Sequence, residues 1–291
     1  MYILTSYFQI IKPGIILGNL ISTTGCFFLA SQGEINFFLL FNTLLGTSFI
    51  IASASVLNNY IDRDIDKKMQ RTKHRALARG LIQPKPACLY GYILLFFGIF
   101  FLFKINLLTL MIAVFGFFIY VVIYSILMKR YSIHAILVGS LSGATPPMIG
   151  YCAVTNYIDL GALILLCIFG FWQIPHSYAI AIFRYQDYQA ASIPIFPIKK
   201  GIFKTKLNII FYIFLFFVST IILFIKQYAG YKYLTISIIL NIIWLFIALQ
   251  GFKSEEMNFN IVWGKKIFLF SIVMITIISL FIAVDYKKEY S

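Results

Sequence analysis

Residues 37–66 read FFLLFNTLLGTSFIIASASVLNNYIDRDID. The part from Phe37 to Leu57 carries no charge, and it meets the about 17–25 residues needed to cross the hydrocarbon core of a bilayer. It is read as a membrane helix, and the polar run after it as that helix emerging into water. Three of the ten acidic residues, Asp62, Asp64 and Asp66, fall in this emergence. Asn58, Asp62 and Asp66 are spaced i, i+4, i+8. Each four-residue step advances about 40° around an α-helix, so the three share one face within about 80°. A solvated loop capping a helix end does not require that register. Arg71, Lys73 and Arg75 follow closely. Oxygen ligands beside such cations suit Mg2+ and a diphosphate.

The rest of the chain repeats the apolar pattern. Hydrophobic residues make up 61%, charged residues 12%, and mean hydropathy is +0.90. A soluble domain averages about 25% charged residues. Nine spans are predicted, near 14–31, 37–57, 87–104, 107–127, 134–154, 160–182, 207–226, 231–251 and 267–284. The fold class expected is an all-α integral membrane protein, one domain over residues 1–291. Four cysteines stand singly with no C-x-x-C pair, so buried packing is expected rather than metal or disulfide chemistry. The first apolar segment has no small-residue cleavage site and is read as a span, not a removable signal.

A net charge of +14 raises the question of nucleic acid, but its distribution answers it. With the N-terminus placed in the cytoplasm and nine spans alternating, 19 of the 24 Lys and Arg residues lie inside. Only Lys104, Lys226, Lys232, Lys287 and Lys288 lie outside. The positive-inside rule expects this asymmetry, and an even number of spans would break it. No nucleic-acid partner is expected; the lipid bilayer is. The long polar stretches 58–86, 184–206 and 252–266 all fall on the inside, whereas outer loops such as 31–36 and 155–159 are short and plain.

Within those stretches the carboxylates carry most weight, because charge near a membrane is costly. Asp62 and Asp66 are one turn apart and placed to ligate Mg2+ around a diphosphate, with Asn58 adding a carbonyl ligand or a hydrogen bond. Asp64 points to another face and is expected to be solvated or paired with Lys67 or Lys68. Arg71, Lys73 and Arg75 alternate along an expected extended loop, which sets all three on one side. In the second polar stretch Asp187 is the lone carboxylate, either an ordinary counter-ion to Arg184 or part of the site with Tyr188 as a phosphate donor. Pro194 and Pro197 fix a rigid loop there, and Lys199 and Lys200 either add to the site or, as such lysines more often do, meet lipid headgroups. Lys129 and Arg130 end the fourth span, serving either topology or diphosphate. Trp172 and His176 lie inside the sixth, beside Pro175; an intramembrane histidine is a functional candidate that suits iron ligation, a proton relay or a propionate contact. His74 and His134 read as surface groups. Gly139, Gly143, Pro146, Pro147 and Gly150 suggest close packing and a kink in the fifth helix.

Assembled, these residues resemble the intramembrane aromatic prenyltransferase superfamily, whose N-x-x-x-D-x-x-x-D helix end matches Asn58, Asp62 and Asp66. More narrowly the chain is similar to its protoheme IX farnesyltransferase (heme O synthase) branch. The segments carrying that likeness are 12–14 (KPG), 58–66, 71–75 (RTKHR), 124–130 (YSILMKR), 139–147 (GSLSGATPP), 172–178 (WQIPHSY) and 187–194 (DYQAASIP). The resemblance implies nine helices around a central cavity opening to the cytoplasm. It implies farnesyl diphosphate and heme b as substrates, Mg2+ as cofactor, and a bacterial inner-membrane location with an outside C-terminus. It also implies a transient contact with a downstream heme-utilising terminal oxidase. Asn58, Asp62, Asp66 and Asp187 become the catalytic carboxylates and amide, and Asn58, Asp62 and Asp66 the metal ligands. Arg71, Lys73, Arg75, Lys129, Arg130, Arg184 and Tyr188 become diphosphate-binding, and Trp172 and His176 heme-binding. Two departures stand out. Phenol-type relatives usually carry Asp where this chain has Asn59, and their second motif holds two or more Asp where this one has only Asp187. Competing readings are a prenyltransferase acting on a quinone precursor and a heme transporter or chaperone without catalysis.

Overall fold

A computed structural model describes residues 2–287, and the described chain is helical almost throughout. Lys288 lies outside the described residues, so its placement beyond the last span stays an expectation. A short helix α1 (Tyr2–Ile10) precedes α2 (Pro13–Ser31) and α3 (Phe37–Ile61). One further turn, α4 (Arg63–Asp66), follows α3 directly. Next come α5 (Pro84–Phe103) and α6 (Leu107–Phe118), the latter running on as a π-helix over Ile119–Met128. The chain continues through α7 (Ala135–Thr155), α8 (Leu160–Phe183), the short α9 (Tyr185–Ala190) and α10 (Phe196–Lys200), then α11 (Ile202–Ile225). α12 (Tyr231–Leu249) and α13 (Met257–Val284) close it.

Local chemistry sets these boundaries. Asn36, Asn106 and Asp159 cap α3, α6 and α8, accepting from the N–H of Leu39, Thr109 and Ala162 at 3.0, 2.7 and 2.8 Å. Pro13 and Pro84 open α2 and α5, where a missing N–H costs nothing. Asn106 also places a break inside the long apolar run around Lys104, as the sequence predicts.

Among the described residues, eight helices are long and apolar enough to cross a membrane by length and composition. The expected span at 134–154 corresponds to α7, a 21-residue helix outside that set. Its residues explain why. α7 packs against α2, α8, α6 and the π-helix and buries nearly everything from Ala144 to Ala153, so it needs small and polar residues rather than lipid-facing ones. At Gly150 any Cβ would collide with the backbone oxygen of Thr23, which allows α2 and α7 to cross closely. The helix continues through Pro146 and Pro147. Pro146 lacks the N–H that Ser142 O would normally accept, and Thr145 Oγ1 donates to that oxygen instead, at 2.8 Å. α8 packs in turn on α7, α11 and α13, and α3 on α5. Cys26 and Cys152 are buried as expected, but Cys167 is exposed on α8; the four thiols are free.

Candidate functional site

The site begins where α3 ends. Asp62 caps α3, its N–H donating to Asn58 O at 2.9 Å, and Asp66 N–H donates to Asp62 O at 2.8 Å. The i, i+4 spacing therefore survives the break into α4, and Asn58, Asp62 and Asp66 share a buried face. Three cations meet this row. Lys12 Nζ donates to Asn58 Oδ1 at 2.8 Å, Lys129 Nζ forms a short ion pair with Asp62 Oδ2, and Arg75 Nη1 reaches Asp66 Oδ1 and Oδ2 at 3.1 and 2.8 Å. Asn58 Nδ2 donates to Asp62 Oδ2 at 2.8 Å and to Ser125 Oγ at 3.1 Å. Asp62 is wholly buried, and its Oδ1 is left without a partner. A cavity of about 260 Å³ lined by Lys12, Asn59, His74 and Arg75 lies alongside.

Lys12 is a site residue that the sequence reading missed. It reaches the row because its backbone is left-handed (φ 56°, ψ 68°) just before Pro13, turning α1 into α2. Burial, then Arg75 and Lys129, push its pKa down to about 7, with Asp62 and Asp66 pulling the other way. The π-helix was also missed. Its wide turns place Ser125 against Asn58 and Lys129 against Asp62, and leave Tyr120 stacked on Tyr124 with ring centres 5.6 Å apart.

Several expectations are corrected. The loop after Asp66 is a chain of turns rather than extended, because Met69, Ala76, Leu77 and Ala78 bury themselves under it. Arg71, Lys73 and Arg75 therefore do not share a side: Arg75 turns inward, while Arg71 and Lys73 stay exposed. Arg71 is nonetheless within electrostatic reach of Tyr124. Asp64 pairs with Arg130 rather than Lys67 or Lys68, through two contacts of 2.7 Å. That commits Arg130, which also donates to Ile61 O, to a surface pair away from the row. Asp187 is not a counter-ion to Arg184. It is buried and accepts Gln70 N–H at 2.7 Å, which ties the two inner loops together. Arg184 lies over the Phe183 ring, with its Nε buried and unpartnered. Tyr188 is half-buried, near Tyr124. His74, His134, Lys199 and Lys200 are exposed, as expected.

A second cluster joins α8 to α13. Trp172 Nε1 donates to Ser271 O at 2.9 Å, and His176 Nδ1 lies 2.8 Å from Ser271 Oγ. The imidazole packs against Trp172 and Phe268, each ring centre 4.8 Å away.

The UbiA prenyltransferase family profile matches residues 19–272. The chain belongs to that family. A protoheme IX farnesyltransferase of Wigglesworthia glossinidia brevipalpis is 62% identical over 283 residues, covering 97% of this chain and 98% of that one. One from Yersinia pseudotuberculosis is 53% identical, with 98% and 96% covered. Among solved structures, a digeranylgeranylglyceryl phosphate synthase superposes with a TM-score of 0.79 at 19% identity, covering 97% of this chain and 99% of that chain. A UbiA homolog from Archaeoglobus fulgidus bound to GPP and Mg2+ gives 0.71 at 15%, covering 96% and 99%.

Asn59, where the resemblance marks a departure from phenol-type relatives, has a structural role. Its Nδ2 donates to Ile10 O at 2.9 Å and Ser55 O at 3.0 Å, which pins α1 beside Lys12. An aspartate there would set a carboxylate against two carbonyls. The donors of this prenyltransferase also fit a hard divalent cation. They are all oxygens, and Asp62 Oδ1 is buried with nothing to accept from. Among the described residues no three His, Cys, Asp or Glu side chains gather into a metal-ligating group. The row itself offers two carboxylates and an amide oxygen that could hold such a cation.

Proposed function

We propose that this prenyltransferase joins the farnesyl group of farnesyl diphosphate to a vinyl group of heme b, with addition of water, giving heme O and diphosphate. The names of the 53–62% identical relatives support this activity. The observation that carries the site assignment is the unpartnered, buried Asp62 Oδ1 in a row met by three cations.

Lys12, Arg75 and Lys129 bind the diphosphate and take up the negative charge that grows as the allylic C–O bond ionises. Mg2+, when held by Asp62, Asp66 and the Asn58 carbonyl, adds Lewis-acid stabilisation to the leaving diphosphate. Exposed Arg71 and Lys73 draw the substrate in, and Arg184 and Tyr188 face it from the second loop. Asp187 keeps that loop in place through Gln70, and Arg130 serves the Asp64 pair. The stacked Tyr120 and Tyr124 present aromatic faces to the allylic cation. Trp172 and His176 hold heme so that its vinyl carbon attacks that cation. Water then adds to the resulting carbocation and loses a proton, which balances the addition.

The charge asymmetry supports a cytoplasmic N-terminus, an outside C-terminus and an acidic row facing the cytoplasm of a bacterial inner membrane. Heme O leaves laterally for a terminal oxidase that uses it. Purified protein given farnesyl diphosphate with either heme b or a phenolic acid tests the substrate. A hydroxyfarnesyl mass increase on heme alone is expected; prenylation of the phenolic acid instead would overturn the assignment.

A further inference from the structure

Ser271, on α13, has two hydrogen-bonding roles in the second cluster, and together they decide a proton position. Its hydroxyl donates to Phe268 O at 2.6 Å, so its single hydrogen is already engaged. The same oxygen lies 2.8 Å from His176 Nδ1 and is left to act as an acceptor. Nδ1 must then carry the proton of the neutral ring, and Nε2 keeps the lone pair. The hydrogen-bonding directions of the two nitrogens diverge widely around the imidazole, so anchoring Nδ1 on Ser271 turns Nε2 away from that hydroxyl. The Trp172 and Phe268 rings pack against the imidazole at tilted angles, and the Trp172 indole is itself fixed by the Ser271 carbonyl. Nε2 makes no hydrogen bond to the protein among the described residues, and the ring keeps partial exposure, so it is not sealed in packing.

We propose that Ser271 is a positioning residue of the heme site, accepting the Nδ1 proton of His176 so that Nε2 is presented to heme iron as an axial ligand. The inference rests on the reading of Trp172 and His176 as the heme side of the reaction. It selects iron ligation over a proton relay or a propionate contact. A metal-bound histidine that donates its other N–H gains orientation and basicity, and losing that partner typically weakens metal affinity about 10–100-fold.

The test uses the full-length protein in detergent with heme b as probe, reading the heme dissociation constant and the ferrous iron–histidine stretching band by resonance Raman. Ser271→Ala is expected to weaken heme binding about 10-fold and to lower the band frequency. Ser271→Thr, which restores the hydroxyl, should bring both back. Farnesyl diphosphate affinity, unchanged in each variant, reports an intact fold. Should Ser271→Ala not fold, Ser271→Cys, a weaker acceptor of similar size, carries the same expectation. An unshifted band and unchanged heme affinity in the serine variant, with both lost in His176→Ala, would overturn the role of Ser271 and leave the heme side standing. Retention of the band and the affinity in His176→Ala would remove the heme side itself.

Discussion

Asp62 and Asp64 are two positions apart and have opposite fates. Asp62 is wholly buried against Lys129 and Asn58, whereas the Asp64 side chain is 61% exposed in its pair with Arg130. The Arg130 hydrogen bonds lower the Asp64 pKa to about 2. Water screens that pair, so Asp64→Ala should cost about 0–1 kcal/mol of stability and leave turnover near normal. Lys129→Met, which strands a buried carboxylate, should cost about 3–5 kcal/mol and abolish transfer. Chemical unfolding in detergent and product assays separate the two. Lys12 gives a pH signature. Its folded pKa of about 7 lies below the about 10.4 of an unfolded lysine, so the unfolded chain binds the extra proton between those values. Stability should therefore rise from pH 7 towards pH 10, and Lys12→Met should flatten that rise. An equally steep profile in the variant would show that another group titrates.

At the scale of elements, the acidic row was legible because helical spacing survives the short break between α3 and α4. Backbone bonds from Asp62 to Asn58 and from Asp66 to Asp62 carry the register across it. What followed was not legible. Alternating charges at Arg71, Lys73 and Arg75 suggest an extended segment, but Met69, Ala76 and Leu77 gain more by burial and fold the segment into turns. The contact of Lys12 with Asn58 spans 46 residues, and Asn59, which arranges it, looks like a neutral neighbour in the sequence. The π-helix has no composition of its own. Inserting an alanine after Ile123 should rotate Ser125 and Lys129 by about 100° away from the acidic row. We expect prenyl transfer to be lost while helix content by circular dichroism stays constant. Full activity in the insertion variant would show that this register does not position Lys129.

For the whole molecule, composition and span lengths were enough to place the chain in a membrane, and the one expected span outside the eight qualifying helices, α7, is enclosed by its neighbours. Interior helices carry Gly, Ser, Thr and Pro because they pack on protein rather than lipid. Orientation rests on the Lys and Arg asymmetry, and single-cysteine labelling checks it. A membrane-impermeant maleimide should label Lys73→Cys only in inside-out vesicles and Glu34→Cys in intact cells; the reverse pattern would invert the topology. The most direct measurement compares the protein and its Asp62→Ala variant, each incubated with Mg2+, farnesyl diphosphate and heme b, by mass spectrometry of the extracted heme. The account predicts a hydroxyfarnesyl adduct from the unaltered protein and none from an inserted, folded variant. Near-normal adduct from the variant would contradict it.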